Sequence, residues 1–139
     1  MKRTNIMKKI LTILMISAMA LTACSRKIDL NGEWKITSVG TESIQAGEAA
    51  PTLSFNTETG RIHGYTGVNV VNGEYEYAGR KLTLSGLGVT MMAGPEEDMK
   101  LERSILDAFA KISSVKQSEE RELLLLDKEG DIVMTLQRR

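Results

Sequence analysis

One histidine, one cysteine, three consecutive carboxylates and three closely spaced methionines are the residues of this 139-residue chain whose types could do chemistry. Histidine is the side chain that most often serves as a general base. His63, however, stands in "RIHGYTG" with no Ser/His/Asp set and no pair of carboxylates distinguished around it. A histidine on an exposed strand face is the plainer reading. Cys24 offers a thiol, but one cysteine and one histidine cannot supply the three or four His/Cys ligands of a usual zinc site. Glu96, Glu97 and Asp98 could hold a hard cation, and they read more simply as the solvated start of a helix. Met91, Met92 and Met99 carry thioethers suited to copper(I), but methionines packed in a core or on a helix are the plainer reading. The glycines of "SGLGVTMMAG" match neither a phosphate loop nor a dinucleotide fingerprint. The residues therefore predict no catalytic side chain, no metal, no cofactor and no enzyme.

The densest constellation of special residues is "IHGYTGVNVVNGEYEY" at 62–77, where Gly64, Gly67, Asn69 and Gly73 interrupt strand-forming Val, Ile and Tyr. Glycine allows positive φ and close approach of backbones, so these positions read first as bends and bulges in a β-protein. A secondary reading makes Gly64, Gly67, Asn69 and Gly73 a contact loop.

The elements that would position such a loop follow from periodicity. Apolar residues alternate at Trp34/Ile36, Leu53/Phe55, Tyr75/Tyr77, Leu82/Leu84 and Ile132/Met134/Leu136, which predicts short half-buried strands. "NTETG", "VNG", "YAG" and "DKEGD" supply turns between them. One segment departs from period two: "PEEDMKLERSILDAFAKI" puts Leu101, Ile105, Ala108, Phe109 and Ile112 on one face of a helix. Pro95 suits its first turn, and Glu96, Glu97 and Asp98 complement the positive end of the helix dipole. The order is about five strands, a helix and about three strands. This predicts a mainly β fold, a small antiparallel barrel of about eight strands with one amphipathic helix packed on it. An open α+β sheet is the alternative.

The first 23 residues are expected to lie outside this fold. Lys2, Arg3, Lys8 and Lys9 form a basic region, Ile10 to Leu21 an apolar one, and small residues follow, the layout of a secretory signal. "LTAC" at 21–24 resembles the lipobox of bacterial lipoproteins, which implies cleavage before Cys24 and a diacylglycerol on its sulfur. Two or three acyl chains hold a protein stably, at about 0.8 kcal/mol per buried CH₂. An ordinary buried cysteine and a reactive thiol are the other readings of Cys24. Residues 24–29 would be a lipidated tether and 30–139 one domain. All four basic residues of the leader are lost on cleavage, whereas all 18 Asp and Glu remain, leaving a mildly acidic chain with scattered charge. Such a chain predicts no nucleic-acid partner, no polybasic membrane patch, and attachment through the lipid alone. Ser25 follows the cysteine where an inner-membrane retention signal would have aspartate, which favours the outer membrane.

The ordered landmarks resemble the META domain, also called HslJ-like. Leu30, Gly32 and Trp34 sit where that family opens its first strand, and Pro51, Leu53 and Phe55 match the second. "RIHGYTGVNVVNGEYEYAGRKLTL" follows the family's central stretch, and Thr90, Met92, Ala93 and Gly94 follow its Thr-x-Met-Ala-Cys. Glu102, the helix and the last two strands complete a resemblance over residues 30–137. It implies a lipocalin-like barrel, links to envelope and stress physiology, and no established catalytic residues. Two departures fall at family cysteines, replaced here by Val68 and Gly94. Losing both leaves no orphan thiol, so the resemblance implies that Val68 and Gly94 are neighbours in space.

Two functions follow as expectations. In the first, a monomeric, lipid-anchored envelope domain works by contacting an unidentified envelope protein. In the second, the barrel's mouth binds a small apolar molecule. Few aromatics, 4% of the chain, weigh slightly against the second.

Overall fold

The structure is a computed structural model that describes residues 26–45 and 50–139. The leader and Cys24 lie outside the described residues, so the anchor is not addressed by the fold. Nine strands and one helix follow in order among the described residues: β1 (Gly32–Val39), β2 (Glu42–Ser43), β3 (Thr52–Asn56), β4 (Arg61–Tyr65), β5 (Val70–Ala78), β6 (Lys81–Val89), α1 (Glu96–Lys111), β7 (Ser114–Glu119), β8 (Glu122–Leu126) and β9 (Ile132–Arg138).

Neighbouring strands pair antiparallel in the order β2-β1-β3-β4-β5-β6-β7-β8-β9, and β9 returns to pair with β1. The sheet is thus ring-like, with the two-residue β2 extending one edge of β1. Closure removes most of the exposed edges that an open sheet would present. One seam stays thin. β6 meets β7 at the single register pair Lys81↔Ser114, flanked by Leu82 N–H to Ser113 O at 3.0 Å and Val115 N–H to Arg80 O at 2.9 Å.

Alternation along each strand sends one face inward. Trp34, Ile36, Leu53, Phe55, Ile62, Val71, Leu82, Val115, Leu123, Leu125, Met134 and Leu136 are buried in one core. Helix α1 adds Ile105, Ala108 and Phe109 and is followed by Ile112, so the ring is filled by its own side chains. Helix α1 approaches the backbones of β1 and β9. Phe55 and Tyr75 meet edge to face at 5.0 Å and 87° inside this packing; burial pushes the Tyr75 phenol above its usual range.

Two positions depart from simple alternation. Ile132 is exposed although Met134 and Leu136 are buried, because the register breaks between Leu125 and Leu126 opposite β9. The extra residue turns Ile132 outward. In β5 and β6 the register slips between Asn72 and Glu74, and the slipped β6 backbone presses on Gly73. A Cβ there would stand 2.7 Å from Leu87 Cδ2 and 2.9 Å from Ser85 O.

The two ends of the ring differ. The turns β3–β4, β5–β6 and β7–β8 point one way, together with the N-terminal segment, as an up-and-down order requires. Arg138 staples that segment to β9: its guanidinium lies 4.3 Å from the Trp34 ring and donates to Asn31 O at 2.7 Å and Asp29 O at 2.8 Å. The β4–β5 loop and the segment after β6 lie at the other end.

Candidate functional site

The β4–β5 loop is built around two polar side chains that sequence alone would place at the surface. Thr66 and Asn69 are 1% and 2% exposed. The loop closes through Thr66 N–H to Asn69 O and Asn69 N–H to Thr66 Oγ1, both 2.9 Å. Gly67, at φ +100°, makes the reversal that a residue with a Cβ would resist. The Thr66 hydroxyl then donates 2.8 Å to Glu102 Oε1, and Glu102 is a buried carboxylate on α1. A buried carboxylate is costly unless it is bonded, and here the bond ties the helix to the loop.

Asn69 works in the other direction. Its Nδ2 donates to Met92 O at 3.0 Å, while its Oδ1 accepts from Met92 N–H at 2.7 Å and from Thr90 Oγ1 at 2.9 Å. One side chain thus satisfies both backbone groups of Met92, as a neighbouring strand would. Thr90 N–H adds a bond to Val70 O at 3.1 Å. The segment 90–92 is therefore fixed by the β4–β5 loop before the helix starts.

Fixing that backbone leaves its side chains outside. Met91 is 95% exposed and Met92 59% exposed; with Ile132 they are the large exposed apolar residues among those described. This corrects the reading of Met91 and Met92 as core or helix-packing methionines. The signal missed in the sequence was Asn69, whose side chain takes the hydrogen bonds that would otherwise let 90–92 join the sheet.

The sequence-predicted contact residues are placed differently. Gly64, Asn69 and Gly73 are buried and Gly67 is half-buried, so they shape the end of the ring and present little surface themselves. Gly64 and Gly73 belong to strands β4 and β5, apart from the loop proper. Val68 and Gly94 are neighbours, as expected: a Cβ built at Gly94 would lie 3.6 Å from Val68 Cβ and 3.0 Å from its Cγ2.

His63 lies on the outer face of β4, where Nδ1 is 2.8 Å from Asn72 Oδ1 on β5 and can donate to it. Asn31, Glu33, Ser54, Asn56, Arg61 and Asn72 are among the residues that share with it a solvent-open depression of about 600 Å³. The nearest partner of its ring is an amide, so no charged dyad forms. Among the described residues no three His, Cys, Asp or Glu side chains are grouped to hold a metal ion. No described helix is long and apolar enough to cross a membrane.

Two further depressions open beside the N-terminal segment, at the end of the ring away from the β4–β5 loop. One, of about 800 Å³, lies between Arg26–Ile28, the β5–β6 turn and residues 115–120. The other, of about 450 Å³, lies between residues 27–30, Thr57, Gly60, Tyr75 and Tyr77.

Known structures share this architecture. A protein from Burkholderia xenovorans, solved by NMR, is 25% identical with a TM-score of 0.60, over 79% of this chain and 83% of that one. A second NMR structure is 21% identical with a TM-score of 0.60, over 78% and 89%. A DUF4847 family protein from Bacteroides vulgatus, 11% identical, gives 0.59 over 81% and 95%, a likeness of fold alone. No curated protein matches the chain. The family profile described as META domain matches residues 26–139, which takes in all that the structure describes, and the chain belongs to the META domain family.

Proposed function

We propose that this protein is a lipid-anchored contact domain of the bacterial cell envelope, attached through Cys24 to the outer membrane and engaging an envelope protein without chemistry of its own. The observation that carries the reading is the exposed Met91–Met92 pair on a segment held by Asn69. Exposed apolar side chains on a fixed backbone bind without the cost of ordering that backbone, and methionine adapts its shape to a partner. The pair also lies away from the anchor. From Lys81 beside the basal turn to Val89, β6 rises about 26 Å at roughly 3.3 Å per residue. A domain tethered at its base presents this end outward from the bilayer. The packed interior supports the same reading over a ligand carrier, since the ring's volume is taken up by Trp34, Phe55, Phe109 and their neighbours.

The test is photo-crosslinking in the native envelope, with the reactive group at position 91 and, as control, at Glu76, exposed on the wall of β5 away from the loop end. A discrete adduct from position 91 that is lost in Asn69→Ala, with no adduct from 76, is the expected result. Equal, diffuse labelling from both positions would refute a contact at this end.

A further inference from the structure

The basal cleft brings together charges that are scattered in the sequence. Arg26 and Lys27 come from the N-terminal segment, Arg80 from the β5–β6 turn and Lys116 from β7, and all four line one depression of about 800 Å³. Among the described residues, ion pairs at this end involve other side chains: Arg138 with Asp29, and Arg139 with Glu33. Glu119 and Glu120 also line the cleft, so its basic excess is two charges. The segment carrying Arg26 and Lys27 is held in place, since Ile28 N–H donates to the Tyr77 hydroxyl at 3.3 Å and Arg138 grips the backbone at 29 and 31.

Covalent geometry decides what this cleft faces. Cys24 precedes Arg26 by two residues, and two residues span at most about 7 Å. A diacylglycerol on Cys24 therefore holds the cleft within headgroup distance of the bilayer. We infer that the cleft of Arg26, Lys27, Arg80 and Lys116 seats the phosphate of an anionic phospholipid in the membrane that carries the anchor, and so fixes the domain upright with Met91 and Met92 outermost. This rests on the lipidation of Cys24 proposed above. Each basic side chain near an anionic surface biases the equilibrium about fivefold, so an excess of two gives about thirtyfold in favour of the docked orientation. The bias falls with salt.

The experiment uses the full lipidated protein in vesicles of phosphatidylcholine, with or without phosphatidylglycerol. The readout is amine-labelling rate at Lys27 and Lys116 relative to Lys100, an exposed lysine on α1. Several-fold protection of Lys27 and Lys116 only in the anionic vesicles, reversed by salt and abolished by Arg80→Glu with Lys116→Gln, is expected. Lys27 reports for that variant, and unchanged melting shows that its fold is intact. Equal labelling in both vesicles would overturn the inference while the anchor stands, provided that the protein floats with the vesicles and its mass shows acylation. A protein that neither carries acyl mass nor floats refutes the anchor, and the inference with it. Protection by inorganic phosphate alone, equal to that by vesicles, would assign the cleft to a free anion and overturn the lipid reading.

Discussion

Placing cysteines at positions 68 and 94 tests the geometry of the loop end most directly. A Cβ at Gly94 would lie 3.6 Å from Val68 Cβ, within the 3.5–4.5 Å that a disulfide spans. The same Cβ would press on Val68 Cγ2 at 3.0 Å and Cγ1 at 3.1 Å, so Gly94→Cys alone should be destabilising by about 1–2 kcal/mol. Val68→Cys removes both methyls and with them the clash; the two substitutions should therefore be strongly non-additive. The bond would close a loop of 27 residues counted from 68 to 94 inclusive, worth about 3.5 kcal/mol at 25 °C in the chain-entropy account. Val68 is 9% exposed, and losing its methyls returns about 1 kcal/mol of that relative to wild type. The assay is urea unfolding of Val68→Cys/Gly94→Cys in a Cys24→Ser background, oxidised and then reduced with dithiothreitol. The oxidised form should exceed the reduced form by about 3.5 kcal/mol, roughly 10–20 °C in Tm. A pair that stays reduced under oxidised glutathione, or an oxidised form that melts below the reduced one, would refute the placement of Gly94 against Val68.

Four further outcomes follow from the same structure. Asn69→Ala removes three hydrogen bonds to residues 90 and 92 and should cost about 2–3 kcal/mol in urea denaturation, with faster amide exchange at Met92. Gly73→Ala forces a Cβ against Leu87 and the Ser85 carbonyl and should cost about 2 kcal/mol, whereas Gly88→Ala, whose nearest neighbour would be Asn72 O at 4.0 Å, should change stability by less than about 0.5 kcal/mol. His63→Ala should also stay within about 0.5 kcal/mol by thermal melting, because its one bond to Asn72 is exposed, and it should leave the position-91 crosslink unchanged. The raised pKa of Tyr75 means that the folded chain holds this proton more tightly than the unfolded one. Its contribution is complete below about pH 10 and is lost as pH rises through the folded value, so the stability gap between wild type and Tyr75→Phe should shift against wild type as pH rises above about 10; a pH-independent gap would contradict the shift.

Much of this protein was legible in its sequence. Alternation at Trp34/Ile36, Leu53/Phe55 and Met134/Leu136 fixed which faces turn inward, because a strand's side chains have a period of two whatever it pairs with. The helix was legible from the spacing of Ile105, Ala108, Phe109 and Ile112, the residues it buries or adjoins. Even the proximity of 68 and 94 followed from the family's paired cysteines. A closed barrel was expected as well, but the register that joins β1 to β9 did not follow: the two strands are separated by most of the chain, and their pairing depends on the cumulative twist and stagger of the intervening strands. Nor did the exposure of Met91 and Met92, which depends on Asn69 supplying hydrogen bonds across 23 residues of sequence. The buried Glu102 needed Thr66, 36 residues earlier, to become intelligible. Charge shows the same division. The sequence determined how many basic residues there are, but Arg26, Lys27, Arg80 and Lys116 share a cleft only because the tether, a turn and β7 converge at one end. Local periodicity is written along the chain, whereas a site between distant segments exists only after the sheet has closed.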